Sequence, residues 1–392
     1  MIIGIDASRA NKTIRTGTEW YSYFLIKKFA EIDRENFYVL YTKDKLMEDF
    51  FNPPTADFRS GSSSLPENFR HKKLSWPFQH LWTQCRLSLA MLHHKIDVLF
   101  VPSHTIPLMH PKRTVTTCHD VGFERYGELY SDKEISYHRF SMRLAVKKAS
   151  KIIAVSQFTK NELRDIYKVP EDKISVVYNS YDENNFYPLA GRELEGMNKV
   201  LTQYNLVENG TVIPYILYVG RLESKKNTVN LLKAFKILKN ANGFRLPHKL
   251  VLAGVQGTGF EYVQRELNQF GMYKREVIMT GWTPQESLKY LYNGASCFVF
   301  PSFYEGFGIP LLESFACGIP VCASHRASLP EIGGEAAIYF EPNEPEDIAY
   351  KIYLLCMDKN LRQTCIQRGF ERVKDFSWDT SARETLQILG GC

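Results

Sequence analysis

Short runs of β-branched and aromatic residues alternate along the whole chain with longer segments whose apolar positions recur at helical spacing. In the first half, the runs at 2–5, 37–41, 97–101, 114–118, 151–155 and 174–178 predict buried strands. Helices are expected between them over Glu19–Phe29, Asp132–Ser150 and Gln157–Tyr167. The alternation weakens from Tyr181 to Pro214, a polar stretch that predicts an interdomain connection with one helix around Gly191–Tyr204. A second series follows, with strands at 215–219, 249–253, 276–280, 297–300, 319–322 and 337–340. Its helices are expected at about 228–239, 259–269, 284–292, 308–316 and 345–357, with two more at 359–373 and 377–389. Strand–helix alternation of this kind predicts α/β architecture with doubly wound parallel sheets. Two Rossmann-like domains are expected, 1–190 and 191–374, facing across a cleft. A C-terminal helical piece, 375–392, is free to pack back on the first domain.

Composition narrows the class. The chain has 392 residues, enough for two domains, and its 44% hydrophobic and 23% charged residues are those of an ordinary globular protein. Nothing approaches the ~18 consecutive apolar residues of a membrane span. The first strand follows Met1 without a basic segment, so no signal peptide is expected. Eight cysteines form no C-x-x-C pair, which points to reduced buried thiols, a cytoplasmic setting and no zinc. The net charge of +6 lies almost entirely in residues 1–190. Its densest stretch, Arg70 to Lys95, holds five bases and no acid, with Trp76, Phe78 and Trp82 interleaved. That stretch reads either as a peripheral contact with an anionic membrane or as a solvated face whose aromatics belong to the core. No nucleic-acid motif accompanies the charge.

The chemistry concentrates in one string, Phe300-Pro301-Ser302-Phe303-Tyr304-Glu305-Gly306-Phe307-Gly308-Ile309-Pro310-Leu311-Leu312-Glu313-Ser314. A buried strand ends at Phe300 and a helix begins near Gly308. Gly306 and Gly308 would let backbone approach a ligand, and the helix start suits a diphosphate. Glu313, one turn in, could accept hydrogen bonds from ribose hydroxyls, and Glu305 could face a sugar.

The string resembles the E-G-F-G-[ILV]-P-x-x-E signature of glycosyltransferase family 4, and the chain looks somewhat like bacterial polysaccharide mannosyltransferases. Flanking segments agree: Gly281-Trp282-Thr283-Pro284, Ala316-Cys317-Gly318-Ile319-Pro320-Val321 and Ser328-Leu329-Pro330-Glu331. Tyr218-Val219-Gly220-Arg221-Leu222-Glu223-Ser224-Lys225-Lys226-Asn227 resembles the family's G-R-x-x-x-x-K-[GN] segment. Val155-Ser156-Gln157-Phe158-Thr159 and Tyr178-Asn179-Ser180-Tyr181-Asp182 are also family-like, so the likeness spans nearly the whole chain.

The resemblance implies a GT-B fold and a retaining hexosyltransferase. A nucleotide-diphosphate sugar is its co-substrate, and a saccharide or lipid-linked molecule its acceptor. The first domain would take the acceptor and the second the nucleotide sugar. Arg221 and Lys226 would be the cations that stabilise the departing diphosphate, with Lys225 an adjacent competitor for the second role. Glu305 and His119, the latter from Thr117-Cys118-His119-Asp120, would lie near the transferred sugar. His104, after the preceding strand, is a weaker candidate. Gly17 and Thr18, in Arg15-Thr16-Gly17-Thr18-Glu19-Trp20, would form a loop near the distal phosphate. Glu19 and Trp20 depart from the family's commoner residues there. The remaining donor contacts implied are Trp282, Thr283, Gly306, Phe307, Gly308, Ile309, Pro310, Leu311 and Glu313. No cofactor and no metal is expected. The chain holds no D-x-D triplet of the kind that carries Mn²⁺ or Mg²⁺. Other activities of the same fold, a UDP-sugar synthase or an epimerase, are the enzymatic alternatives. A nucleotide-sugar sensor is the non-catalytic one, and it would be expected to have lost Glu305, Arg221 or Lys226.

Overall fold

Ile3 and Ile5 are wholly buried because their strand, β1 (Ile2–Asp6), is flanked by parallel neighbours on both sides, β2 (Phe37–Thr42) and β4 (Val98–Val101). The computed structural model describes residues 1–51, 65–78, 81–240 and 246–392. With β3 (Phe69–Lys73), β5 (Thr114–Cys118), β6 (Lys151–Ala154) and β7 (Ile174–Val176), these strands form a seven-stranded sheet in the order β3-β2-β1-β4-β5-β6-β7. A two-residue hairpin, β8 (Val207–Glu208) and β9 (Thr211–Val212), precedes the second sheet. That sheet holds β10 (Tyr215–Val219), β11 (Lys249–Ala253), β12 (Val277–Gly281), β13 (Cys297–Phe300), β14 (Val321–Ser324) and β15 (Ala337–Phe340). Its order is β12-β11-β10-β13-β14-β15, again with every pair parallel. Each sheet therefore reverses its direction of winding once, between β1 and β4 and between β10 and β13. Ligands of open α/β sheets bind beyond the carboxyl ends of the strands at such a reversal.

The chain divides into two compact units: Met1–Val121, Asp132–Asn179 and Ser377–Cys392 in the first, Gly122–Ser131 and Ser180–Phe376 in the second. The break falls at Asn179, where the pattern weakens and earlier than the boundary expected at residue 190, and Gly122–Ser131 leaves the first unit's numbering to join the second. The final helix, Trp378–Gly390, belongs to the first unit. There Trp378 stacks on Phe24 at 5.4 Å, and Arg113 donates to the carbonyl of Leu389.

Two elements of the first unit escaped the sequence pattern. The strand Phe69–Lys73 buries only Phe69, and its remaining residues are basic. An edge strand needs no apolar alternation, so it leaves no period to read. A helix over Trp82–His93 begins with a π turn and buries Trp82, Leu87, Ala90 and Met91 against Leu74, Leu99 and Val101. Trp82 is thus a core residue, its indole N–H donating to the carbonyl of Leu74 at 2.8 Å, while Phe78 stays exposed. Of the basic stretch 70–95, residues 79 and 80 lie outside the described residues. All eight cysteines are free thiols. No helix among the described residues is long and apolar enough to cross a membrane.

Candidate active site

In the second unit, two loops leave the carboxyl ends of β10 and β13, one on each side of the reversal. The first, Gly220 to Asn227, carries Arg221 and Lys226; the second, Pro301 to Gly308, carries Glu305. They are bound to each other. The amide of Phe303 donates to the carbonyl of Lys225 at 3.0 Å, and the Asn227 side chain donates to the carbonyl of Pro301 at 3.1 Å. Asn227 can do this because it stands in the left-handed region at φ 57°. From the far side, the Ser328 hydroxyl reaches the carbonyls of both Glu305 and Phe307, each at 2.9 Å. The Ser328–Glu331 match in the sequence is therefore a clamp on the glutamate loop.

This scaffold brings Lys226 and Glu305 together. Lys226 Nζ lies 2.5 Å from Glu305 Oε1, with both side chains largely buried. Arg221 pairs with Glu223 at 3.2 Å but remains 58% exposed. Both expected cations thus rest against carboxylates of their own unit. The competitor Lys225 is buried. Sequence reasoning missed Glu223 and the loop behind it. A Cβ on Gly254 would meet the carbonyl oxygen of Gly220 at 1.9 Å, and one on Gly257 would meet Glu223 Cβ at 2.8 Å. The glycine spacing at 254, 257 and 259 was the available signal, since close backbone approach is what such glycines permit.

Glu313 sits in the helix Ile309–Ala316, 9% exposed, and accepts a hydrogen bond from the Tyr292 hydroxyl at 2.7 Å. Burial pushes its carboxyl up to about 7, against the opposing pull of the Tyr292 hydrogen bond. Pro310 has no N–H, and the amide of Leu311 closes onto the carbonyl of Gly308 at 3.0 Å. Gly308 is demanded by the fold itself: its φ is 107°, and a Cβ would meet Leu311 and Leu329 at 2.8 and 2.9 Å. Phe307 is buried, its ring edge-on to Phe376. Trp282 and Thr283 follow β12, the outer strand. Trp282 is half exposed, and Thr283 pairs with Thr280 at 2.8 Å.

In the first unit, the loop after β1 ends at Thr16, the cap of helix Gly17–Ile32. Thr16 and Glu19 form a capping box: Glu19 accepts from the Thr16 amide at 3.2 Å and bonds its hydroxyl. The other oxygen of Glu19 draws in Arg9 at 3.5 Å and Lys12 at 3.6 Å. Glu19 is only 7% exposed, so this departure from the family pattern acts as scaffolding. Trp20 likewise packs on Phe24 and under Arg15. Gly17 begins the helix with nothing within 4 Å of a Cβ built on it, and Thr18 follows it, its carbonyl accepting from Ser22.

His119 lies just past β5. Its Nε2 is 3.0 Å from the carbonyl of Pro102, and Tyr21 meets the ring edge-on at 4.7 Å. A carbonyl can only accept, so Nε2 carries the proton and Nδ1 the lone pair. Burial drives the ring's pKa down to about 4, keeping it neutral near pH 7. The Tyr21 hydroxyl is shared with Thr117 at 2.9 Å, which fixes the ring that supports His119. His104 stands 3.4 Å from His138, and burial takes it down to about 3. No group of three or more His, Cys, Asp or Glu among the described residues is arranged to hold a metal.

Two Rossmann-like parallel sheets of this winding have the GT-B architecture of glycosyltransferases. A sucrose-phosphate synthase from Thermosynechococcus elongatus superimposes with a TM-score of 0.74 at 20% identity, over 100% of this chain and 98% of that one. The model described as Glycosyltransferase Family 4 matches residues 21–185, and that described as Glycosyl transferases group 1 matches residues 210–372. The O-antigen chain mannosyltransferase B of Escherichia coli is 32% identical over 77% of this chain and 76% of its own. The alpha-maltose-1-phosphate synthase of Mycolicibacterium smegmatis is 28% identical over 63% of this chain and 64% of its own. The chain belongs to glycosyltransferase family 4.

Proposed function

We propose that this glycosyltransferase moves a hexose, with retention of configuration and without a metal, from a nucleotide-diphosphate sugar to a saccharide or lipid-linked acceptor. Mannose from GDP-mannose is the first donor to test, because the Escherichia coli relative is named a mannosyltransferase. The acceptor class and a cytoplasmic setting fit cell-surface polysaccharide or glycolipid synthesis. The observation that carries the reading is the Lys226–Glu305 pair, buried where the loops after β10 and β13 are pinned together.

Bond cleavage puts negative charge on the departing diphosphate. A lysine already held in a low-dielectric pocket is placed to stabilise that charge by exchanging Glu305 for a phosphate oxygen. Arg221, more exposed, would join it by leaving Glu223. Glu313 would take the ribose hydroxyls, and Gly306 to Leu311 the backbone side of the donor, with Trp282 and Thr283 beyond. From the first unit, Gly17 and Thr18 would meet the distal phosphate, and neutral His119 would accept a sugar hydroxyl through Nδ1. A same-face displacement, with the leaving phosphate helping to deprotonate the acceptor, needs no carboxylate nucleophile.

Purified protein with excess EDTA should convert one of a panel of nucleotide sugars, and the product's anomeric configuration should match the donor's by NMR. Activity lost in EDTA and restored by Mn²⁺ removes metal independence, and an inverted product removes retention. Binding of nucleotide sugars without turnover would make the chain a sensor. A UDP-sugar-dependent synthase is the second reading, favoured by the named activity of the Mycolicibacterium relative; the same panel separates it.

A further inference from the structure

Tyr292 lies near the end of the helix Gln285–Gly294 and is wholly buried. Two rings fix its own. Phe186 meets it edge-on at 5.6 Å, and Phe298 of β13 lies tilted against it at 5.6 Å. The next residue, Asn293, ties down the helix end: its side-chain N–H donates to the carbonyl of Tyr187 at 3.1 Å, and its side-chain oxygen accepts from the amide of Leu189 at 2.9 Å. The Tyr292 hydroxyl is thereby delivered to Glu313 Oε2 at 2.7 Å. A buried hydroxyl can be satisfied by a backbone carbonyl, as that of Tyr215 is by Leu291 at 2.6 Å. Pairing it with a carboxylate has an electrostatic consequence as well. It also takes one oxygen of Glu313 and leaves the other, Oε1, to a ligand.

Burial opposes ionisation of Glu313 most strongly, and Asp182, another carboxylate, opposes it further. Cys317, one turn along the chain, is a thiol that burial and then the Glu313 charge push well up, so it stays protonated and neutral. Lys289, on the helix of Tyr292, is turned to Glu193 at 3.6 Å. Among the described residues, the Tyr292 hydroxyl is therefore the group that favours the ionised form of Glu313. Burial, and then the Glu313 charge, push that hydroxyl far up, so it remains a donor. A protonated carboxyl would present its own O–H where a ribose hydroxyl needs an acceptor. We propose that Tyr292 is a positioning residue, which turns Glu313 and holds it ionised so that Oε1 accepts from the ribose hydroxyls of the donor. The inference rests on the reading of Glu313 as the ribose contact.

Calorimetric binding of GDP-mannose and of UDP-glucose between about pH 6 and 8.5 tests it, since neither diphosphate diester titrates in that range. Wild-type binding should tighten as pH rises through about 7. Tyr292→Phe keeps the ring and removes the hydroxyl. Its midpoint should rise by about one pH unit, so that Kd is roughly fivefold weaker at pH 7 and within about twofold of wild type near pH 8.5. The donor KM should follow Kd, and kcat at saturating donor should change less. A packing defect would weaken binding by one factor at every pH, and high pH would not rescue it. The 2′,3′-dideoxyribose analogue of whichever sugar binds should show no such pH dependence and should bind both proteins alike. Glu313→Gln separates this inference from the reading beneath it. If Glu313→Gln binds like wild type, the ribose contact fails and the inference fails with it. If Glu313→Gln binds weakly at every pH while Tyr292→Phe follows the wild-type curve, or lies a constant factor from it, the ribose contact stands and the positioning role of Tyr292 is overturned. Binding of neither sugar at any pH overturns both.

Discussion

The two sheet reversals are built on the same strand order and prepare their residues in opposite ways. In the second unit the functional groups are charged and stored in pairs, Lys226 with Glu305 and Arg221 with Glu223. In the first unit the corresponding positions hold a neutral imidazole, a capped helix start and a glycine. Stored charge suits a ligand that arrives with its own anion and exchanges for a carboxylate. A neutral, hydrogen-bonding imidazole suits hydroxyls. The contrast predicts that substitutions in the second unit will change charge stabilisation and often stability too, whereas those in the first will change geometry.

The largest effects should come from the two cations. Arg221→Ala and Lys226→Ala should each lower kcat by about 10²–10³. Arg221 is 58% exposed and Lys226 17%. Removing Lys226 leaves Glu305 buried without its partner, and removing Arg221 does the same to the still more buried Glu223, so both variants should melt lower, each at a cost of up to roughly 3 kcal/mol. A wild-type melting temperature in either variant would show that its pair is not stored as described. Near-wild-type turnover in either would take that residue out of the site.

Next in size are His119 and Glu313. His119→Ala and Glu305→Gln should lower kcat more than they weaken nucleoside diphosphate binding. Glu313→Gln should mainly raise the donor KM, because ribose is held alike in ground and transition states. Calorimetric titration beside steady-state kinetics checks this; the opposite split reverses the roles. Glu313 also makes binding pH-dependent. Its carboxyl titrates near 7 in the free protein. Hydroxyls donating to it favour the ionised form, so binding should release protons and tighten as pH rises through about 7. Calorimetry in two buffers of different ionisation enthalpy measures the release, and Glu313→Gln should abolish it. The sign for folding is opposite. A carboxyl raised in the folded state contributes stability fully below its unfolded pKa near 4.3, and loses it as pH rises towards 7.

Much of this was legible before the structure. The strands Tyr215–Val219, Lys249–Ala253, Cys297–Phe300 and Ala337–Phe340 fall on the expected residues, because buried parallel strands are short continuous apolar runs. The glutamate string identified its loop because it is contiguous. What stayed hidden is assembled from distance. Ser328 reaches Glu305 across 23 positions, and Tyr292 reaches Glu313 across 21. Their roles depend on packing that no local pattern records. The polarity of Arg70–Lys95 concealed both an edge strand and a helix, since a face open to solvent carries no core period. The sequence read Gly308 as a ligand contact without its structural duty, because a glycine needed for φ 107° looks the same in one dimension as one kept clear for a phosphate.

That ambiguity between glycines gives the smallest and sharpest expected difference. Gly308→Ala places a Cβ within 3 Å of Leu311 and Leu329 on a left-handed backbone, so it should destabilise the second unit by about 1–3 kcal/mol. Gly17 has no positive φ, begins a helix, and has open space where a Cβ would stand. The free chain therefore supplies no reason for glycine there. Alanine should raise stability by about 0.4–1 kcal/mol through the unfolded state. If a phosphate or sugar approaches that backbone, the same methyl should displace it and lower turnover at least about tenfold, a misplacement of the kind that costs rate without costing fold. Thermal melting and steady-state kinetics on Gly17→Ala read the two effects separately. A variant that is more stable and equally active would mean that the space beside Gly17 stays empty during the reaction, and the first unit's share of the donor site would then rest on Thr18 and His119.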